Sequence, residues 1–158
     1  MKAAAFSLKG VDGKTHTLDS LKGPKATIVV FSCNHCPYVV KAEDALIAAC
    51  RDYRDKGVGM AAINANDSDS YPEDSYEEMI ARAREKNFPF AYLHDDTQKV
   101  AKAYGATHTP QLFVFDADLN LAYSGAVTGL REALDDLVAD RLPRVPQTHA
   151  IGCTIKWK

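Results

Sequence analysis

An α/β fold is predicted for this chain, a three-layer α/β/α sandwich around a central mixed sheet with a hairpin at the N-terminus. Three observations carry that expectation. Apolar, β-branched runs recur at 26–31 (ATIVVF), 58–64 (VGMAAIN) and 111–116 (QLFVFD), each short enough for a buried strand. Between them lie segments whose apolar residues step by three and four, the period of a helix face. An Asp-Gly pair flanked by short extended runs opens the chain. Strands joined through helices and closed by an antiparallel pair make such a layered arrangement.

The elements follow in order. Val11-Asp12-Gly13-Lys14 separates 6–8 from 15–18, which form the hairpin. The run 26–31 has only Thr27 as a polar residue, so it reads as a strand covered on both faces. From Pro37 to about Arg54, Val39, Ala42, Leu46, Ala49, Cys50 and Tyr53 share one helical face. Proline is tolerated in a first helical turn because its missing N–H would have had no partner there. Lys56-Gly57 ends that helix and 58–64 is the second strand. Residues 67–74 form a polar turn, and 73–86 a helix with an acidic start and a basic end, as the helix dipole favours. A short strand at 90–93, a short helix at 97–104 stopped by Gly105, the strand 111–116, a turn at 118–120 and a return strand at 121–124 come next. Residues 128–140 are amphipathic through Leu130, Leu134, Leu137 and Val138. One domain is expected over 1–140, with 141–158, which holds Pro143 and Pro146, as an extended tail packed on it.

Composition narrows the function. The 158 residues suit a single domain. Their 19 Lys+Arg against 21 Asp+Glu give a formal charge of −2, without the basic excess that nucleic acid or an anionic membrane surface would require. No apolar run approaches the roughly 18–20 residues that span a bilayer. The first ten residues hold too short an apolar core for a secretory leader, so a cytoplasmic location is expected.

Four cysteines are too few for a disulfide scaffold, and their placement matters more than their number. Cys33-Asn34-His35-Cys36-Pro37 follows the first central strand directly. A helix beginning near Cys33 would aim unpaired N–H groups and about half a positive charge at that sulfur, lowering its pKa from about 8.5. A protonated His35 would add a second positive neighbour. Cys36, one turn on, would be close enough for a disulfide. Such a small ring is a poor staple, so a reversible redox couple is the better reading. Cys33 is expected to be exposed and to attack, and Cys36 to face inward and resolve the mixed disulfide. A structural metal knuckle is the competing reading, but zinc wants four ligands and His94, His108, His149 and Cys153 are scattered, so neither a metal nor another cofactor is expected.

Thr107-His108-Thr109-Pro110 stands immediately before the strand 111–116. A proline opening a buried strand needs a reason, and a cis Thr109–Pro110 bond against the C-x-x-C would supply one. Backbone at Thr109 would then pair with an incoming substrate chain as an added strand. A trans proline at a strand entry is the plainer alternative.

Together, Phe31-Ser32-Cys33-Asn34-His35-Cys36-Pro37 and the stretch from Tyr104 through Thr109-Pro110 to Asp116 resemble the thioredoxin-like superfamily. Within it the chain is similar to the redoxin branch, related to alkyl hydroperoxide reductase/thiol-specific antioxidant proteins. A group there shares the C-N-H-C-P motif and a closing G-C-x-I-K-W, present here as Gly152-Cys153-Thr154-Ile155-Lys156-Trp157. The resemblance implies a thioredoxin fold, thiol-disulfide oxidoreductase activity at Cys33, Cys36 and His35, a substrate site at Thr109, Pro110 and Asn34, and a cis proline facing Cys33. The peroxiredoxin pattern P-x-x-x-[TS]-x-x-C is not met by Val29-Val30-Phe31-Ser32 before Cys33. The buried acid of thioredoxin's corresponding strand is also missing. A histidine before the second cysteine resembles strongly oxidising relatives and implies a potential above thioredoxin's roughly −270 mV.

Cys50, about 21 Å along the same helix, is expected in the core. Cys153 is either a third thiol brought in by the tail or a buried anchor beside Ile155 and Trp157. Asn66-Asp67-Ser68-Asp69 hints at a calcium loop, but Pro72 occupies the place of the required glycine, which favours a helix-entry turn. His108 either lines the cleft or sits on a surface loop, and Asp95-Asp96 reads as a helix cap. The expected activity is disulfide exchange with a protein or small-molecule disulfide, turned over by an external thiol. A peroxiredoxin-like thiol peroxidase and a copper-binding Cys/His module are the alternatives.

Overall fold

Residue Phe31 of the first central strand lies opposite Gln111 of an antiparallel neighbour, and this one pairing fixes where the chemistry can be. The computed structural model describes all residues 1–158. Its strands and helices are β1 (Ser7–Gly10), β2 (Thr15–Thr17), α1 (Leu18–Leu21), β3 (Ala26–Ser32), α2 (Pro37–Tyr53), β4 (Val58–Asn64), α3 (Tyr76–Lys86), β5 (Ala91–His94), α4 (Lys99–Tyr104), β6 (His108–Thr109), β7 (Gln111–Asp116), β8 (Leu121–Gly125), α5 (Leu130–Val138) and β9 (Cys153–Thr154). Seven strands form one mixed sheet in the order β2-β1-β5-β4-β3-β7-β8, and β6 pairs with β9 in a separate ribbon. β3, β4 and β5 run parallel, while β7, β8, β1 and β2 are antiparallel to their neighbours.

Every residue of β3 is buried, and its side chains alternate between two cores. Ala26, Ile28 and Val30 join Ala42, Leu46 and Cys50 of α2 and Leu130, Leu134 and Leu137 of α5. Val29 and Phe31 point the other way, towards Leu18 of α1 and Ala101 and Tyr104 of α4. Each fully buried Leu, Ile or Phe contributes roughly 1.5–3 kcal/mol. Beneath the site, Phe113 meets the rings of Phe31 and Tyr104 edge-on at 5.9 Å, and those two rings meet tilted at 5.6 Å. Cys50 sits in the first core, as its place on the apolar face of α2 requires.

The expected sandwich, hairpin and mixed sheet are present. Three local expectations need correction. Leu18 leaves the hairpin to start α1, because Thr17 and Ser20 form a reciprocal capping box. The helix after β3 begins at Pro37, as its apolar face predicts, and so not close enough to Cys33 to act on it as expected. A residue before proline is driven out of the helical region, and Cys36 accordingly sits at φ −62, ψ 127 as the N-cap. Last, the tail is more than an extended strap. Cys153-Thr154 pairs antiparallel with His108-Thr109, and Ile155 is buried in the second core.

Candidate active site

Parallel strands deliver their carboxyl ends to one edge, and β7, running oppositely, starts from that edge. The loop of Cys33 and Cys36 therefore meets Thr109-Pro110, whose peptide bond is cis as expected. A cleft of about 200 Å³ opens there, lined among others by Cys33, His35, Cys36, Asp74, Cys153 and Lys156.

Both sulfurs of the motif are largely covered, Cys33 at 3% exposure and Cys36 at 8%, but their surroundings differ. Cys36 heads the 17-residue helix α2. Burial opposes its ionisation, yet the Cys153 thiol and the backbone amides of Val39, Cys153 and Tyr38 outweigh it, and the pKa falls below the ordinary thiol value. When protonated, the Cys36 thiol donates to the Thr109 carbonyl at 3.5 Å. Cys33 lies before the helix. Its sulfur accepts the Cys36 N–H at 3.2 Å and the Thr109 hydroxyl at 3.7 Å. Burial pushes its pKa up to about 12, despite the hydrogen bond from Thr109, and the nearby Asp74 carboxylate pushes the same way. Cys33 is thus buried rather than exposed as expected, and that burial opposes its ionisation. The helix start that was to activate it lies three residues further on, at Cys36.

Asp74 belongs to a buried polar network that sequence reasoning missed. It ends a short 3₁₀ turn before α3 and accepts the Asn34 N–H at 2.8 Å, Asn64 Nδ2 at 3.1 Å and Asn66 Nδ2 at 3.0 Å. The Tyr92 hydroxyl, fully buried, donates to Asn34 Oδ1 at 2.7 Å. Asn34 also donates from Nδ2 to the Glu73 carbonyl at 2.9 Å. Its side chain is therefore spent on holding the Cys33 loop and is 1% exposed, which corrects its expected place in substrate binding. A buried acid does lie near Cys33, but it is Asp74, from another element. Its only sequence signal was an Asp at the entry of a helix.

Thr109 requires a second correction. Its backbone was expected to be free for a substrate strand, but Cys153 of the chain's own tail lies opposite it. Gly152 permits that approach, since a Cβ there would collide with the Thr109 carbonyl and come within 3.1 Å of the Pro110 nitrogen. Asn66 ties the tail to the network by accepting the Lys156 N–H at 2.9 Å, and the Asp67 N–H donates to the Lys156 carbonyl at 2.8 Å. The run 66–69 is thus a helix-entry turn that also clamps the tail. Gln98 adds a donor to the Lys156 carbonyl at 2.9 Å.

The remaining predicted residues separate cleanly. His35 is exposed on the cleft rim, and no hydrogen bond links its ring to either sulfur. His108 faces a different depression, beside Gln147 and His149, with Nδ1 at 2.8 Å from the Thr107 hydroxyl. Asp95 caps α4 by accepting the Ala101 N–H at 2.9 Å. No group of three or more His, Cys, Asp or Glu side chains is placed to hold a metal ion. No helix is long and apolar enough to cross a membrane.

Comparison with known proteins agrees with this arrangement of strands. A model of the AhpC/TSA family matches residues 1–124. The chain belongs to the AhpC/TSA family. The crystal structure of an uncharacterized conserved protein from Geobacillus kaustophilus is 42% identical, with a TM-score of 0.96 over 100% of this chain and 91% of that one. A putative thioredoxin from Neisseria meningitidis, 23% identical, covers 87% of this chain and 90% of its own at a TM-score of 0.73, which shows the thioredoxin-like fold. Chloroplastic peroxiredoxin Q from Triticum aestivum is 28% identical over 100 residues, 63% of this chain and 42% of that protein. The match thus spans less than half the length of this curated relative.

Proposed function

We propose that this protein is a thiol-disulfide oxidoreductase whose attacking sulfur is Cys36. The observation that carries this reading is that Cys36, not Cys33, caps the 17-residue helix α2 and shares the cleft with Cys153, a setting that lowers its pKa below the ordinary thiol value. The thiolate attacks a substrate disulfide, one half departs as a thiol, and the other half stays on Cys36 as a mixed disulfide. A second protein thiol releases it, and an external thiol reduces the protein disulfide that results. The C-x-x-C thus supplies, in Cys36, the attacking half of the dithiol/disulfide couple. Stabilising Cys36 as a thiolate stabilises the reduced protein and makes the couple less reducing than it would be with an unperturbed thiol.

Geometry bears on the substrate class. Since β9 already occupies the strand edge at Thr109, a protein chain cannot add there without displacing the tail. A cleft of about 200 Å³ suits a low-molecular-weight disulfide better than a threaded peptide. Too few cysteines for a disulfide scaffold, together with the external thiol required, support a reducing, cytoplasmic setting for the reaction. The test is reduction of hydroxyethyl disulfide by the full chain and by Cys36→Ser. Turnover by the wild type and loss in the variant support the reading, and equal rates end it.

Family membership favours a second reading, a thiol peroxidase in which peroxide oxidises Cys36 to a sulfenic acid. Counted back from Cys36, Cys33 stands at the hydroxyl position of the peroxiredoxin pattern and Val29 at its proline. Stopped-flow oxidation by hydrogen peroxide no faster than that of a free thiol would remove this reading.

A further inference from the structure

We propose that Cys153, rather than Cys33, is the thiol that resolves a bond formed on Cys36. The inference rests on the oxidoreductase reading of the same sulfur and goes beyond it by assigning a role to the C-terminal ribbon. The register of β6 and β9 sets Cys153 opposite Thr109, the residue whose carbonyl lies 3.5 Å from Cys36 Sγ. Tethers on both sides deliver the thiol. Gly152 presses against the Thr109-Pro110 peptide, and the backbone of Lys156 is held by Asn66, Asp67 and Gln98. Cys33 is the more buried of the C-x-x-C pair, with the Cys36 N–H at 3.2 Å and the Thr109 hydroxyl at 3.7 Å from its sulfur. Cys153 is half-buried and lies in a two-residue strand, so it has room to move onto a reacting sulfur.

Electrostatics make the hand-over sequential. In the resting protein, ionisation of Cys153 is opposed first by the hydrogen bond it gives to Cys36, then by burial and by the Cys36 charge, while Lys156 favours it. Once Cys36 carries a substrate sulfur, its negative charge is gone. Two of the opposing influences vanish with it and Lys156 remains. No such release reaches Cys33, whose ionisation is opposed chiefly by burial. The step balances. For a disulfide RSSR, Cys36 thiolate displaces RS⁻ and forms Cys36–S–S–R. Cys153 thiolate then attacks the Cys36 sulfur, expels the second RS⁻ and leaves a Cys36–Cys153 disulfide. Two electrons have passed from the two protein thiols to RSSR, and the two thiol protons end on the two RSH products.

The test is to mix reduced full-length protein with one equivalent of hydroxyethyl disulfide, quench it in acid at intervals, and map cysteine pairs by non-reducing peptide mass spectrometry. Cys36–Cys153 is expected as the first protein disulfide. In Cys153→Ser the mixed disulfide on Cys36 persists, with its release slowed by about tenfold or more, because an intramolecular thiol at high effective concentration is lost. Cys33→Ser still forms Cys36–Cys153 at the wild-type rate. A first disulfide between Cys33 and Cys36, or unchanged release in Cys153→Ser, overturns the proposal. The wild-type map decides the matter even if a variant fails to fold. A Cys36 that never forms a mixed disulfide overturns the oxidoreductase reading itself, which is a separate and recognisable result.

Discussion

Two sulfurs three residues apart occupy opposite electrostatic settings. Cys36 stands at the mouth of α2, where amides converge, and its pKa is lowered although burial opposes this. Cys33 hangs in the preceding loop above Asp74, and its pKa rises to about 12. The C-x-x-C spacing treats the pair as equivalent, and the order of the chain suggests that the first one attacks. What separates them is Pro37, which keeps Cys36 out of the helical region and so makes it, not Cys33, the helix cap. On the proposed reading, the position of the helix start rather than the order of the cysteines selects the reacting sulfur.

The strongest way to break this comparison is to remove one sulfur at a time. Cys36→Ser is expected to lower the rate of hydroxyethyl disulfide reduction by about 10³-fold or more, since the attacking group itself is gone. Cys33→Ser should leave the alkylation rate of Cys36 by iodoacetamide within a few fold of wild type. The reverse pattern would return the attacking role to Cys33.

Asp74→Asn tests the setting of Cys33 next. The carboxylate accepts from three buried donors, Asn34 N–H, Asn64 Nδ2 and Asn66 Nδ2. An amide presents its own N–H groups to some of them, so a loss of about 1–3 kcal/mol is expected in urea unfolding. Removing the charge should also lower the Cys33 pKa, measured by the pH dependence of thiolate absorbance in a Cys36→Ser background. An unchanged pKa would show that burial alone holds Cys33 neutral.

Much of this architecture was legible in the sequence, and the illegible part has a common physical reason. The runs 26–31, 58–64 and 111–116 announced strands because β3, β4 and β7 are covered on both faces and need unbroken apolar stretches. Thr109-Pro110 was legible because a proline at a buried strand entry is rare enough to demand an explanation. The asparagine and aspartate network was not. Asn34 and Asp74 are 40 residues apart and meet only after β3 and β4 have paired. The ribbon of β6 and β9 has two residues in each strand, too few for any alternation to register. The helix start was readable, because Pro37 carried the signal.

The same opposition sets a pH dependence of stability with opposite signs at the two sulfurs. Cys33, raised from the ordinary 9.0 to about 12, stays protonated in the folded chain while the unfolded chain ionises. Its contribution is intact below about pH 9 and is lost as pH rises from there through about 12. For Cys36 the folded pKa is the lower one, so its contribution is present above the unfolded value and is lost as pH falls through the folded value. Urea unfolding of wild type and Cys33→Ala at pH 8 and at pH 10.5 isolates the first effect. The variant should lose less stability over that interval, and an equal loss would contradict a buried, neutral Cys33.

The smallest expected effect probes the tail from its closest contact. Gly152→Ala places a methyl group against the Thr109 carbonyl, and the ribbon must open to admit it. Opening withdraws the Cys153 amide and thiol from Cys36 but leaves the α2 amides in place. The Cys36 pKa should therefore move back towards the ordinary thiol value without reaching it, and its alkylation near neutral pH should slow by about two- to fivefold, because the thiolate is the reacting form. Both cores sit away from the ribbon apart from Ile155, so the unfolding midpoint should shift little. Hydrogen exchange at Cys153 and Thr154 reports whether the ribbon has opened. Faster exchange with an unchanged alkylation profile would mean that the helix alone activates Cys36 and that the tail only covers it. Faster exchange with a raised pKa would show that this one sulfur is tuned from both ends of the chain.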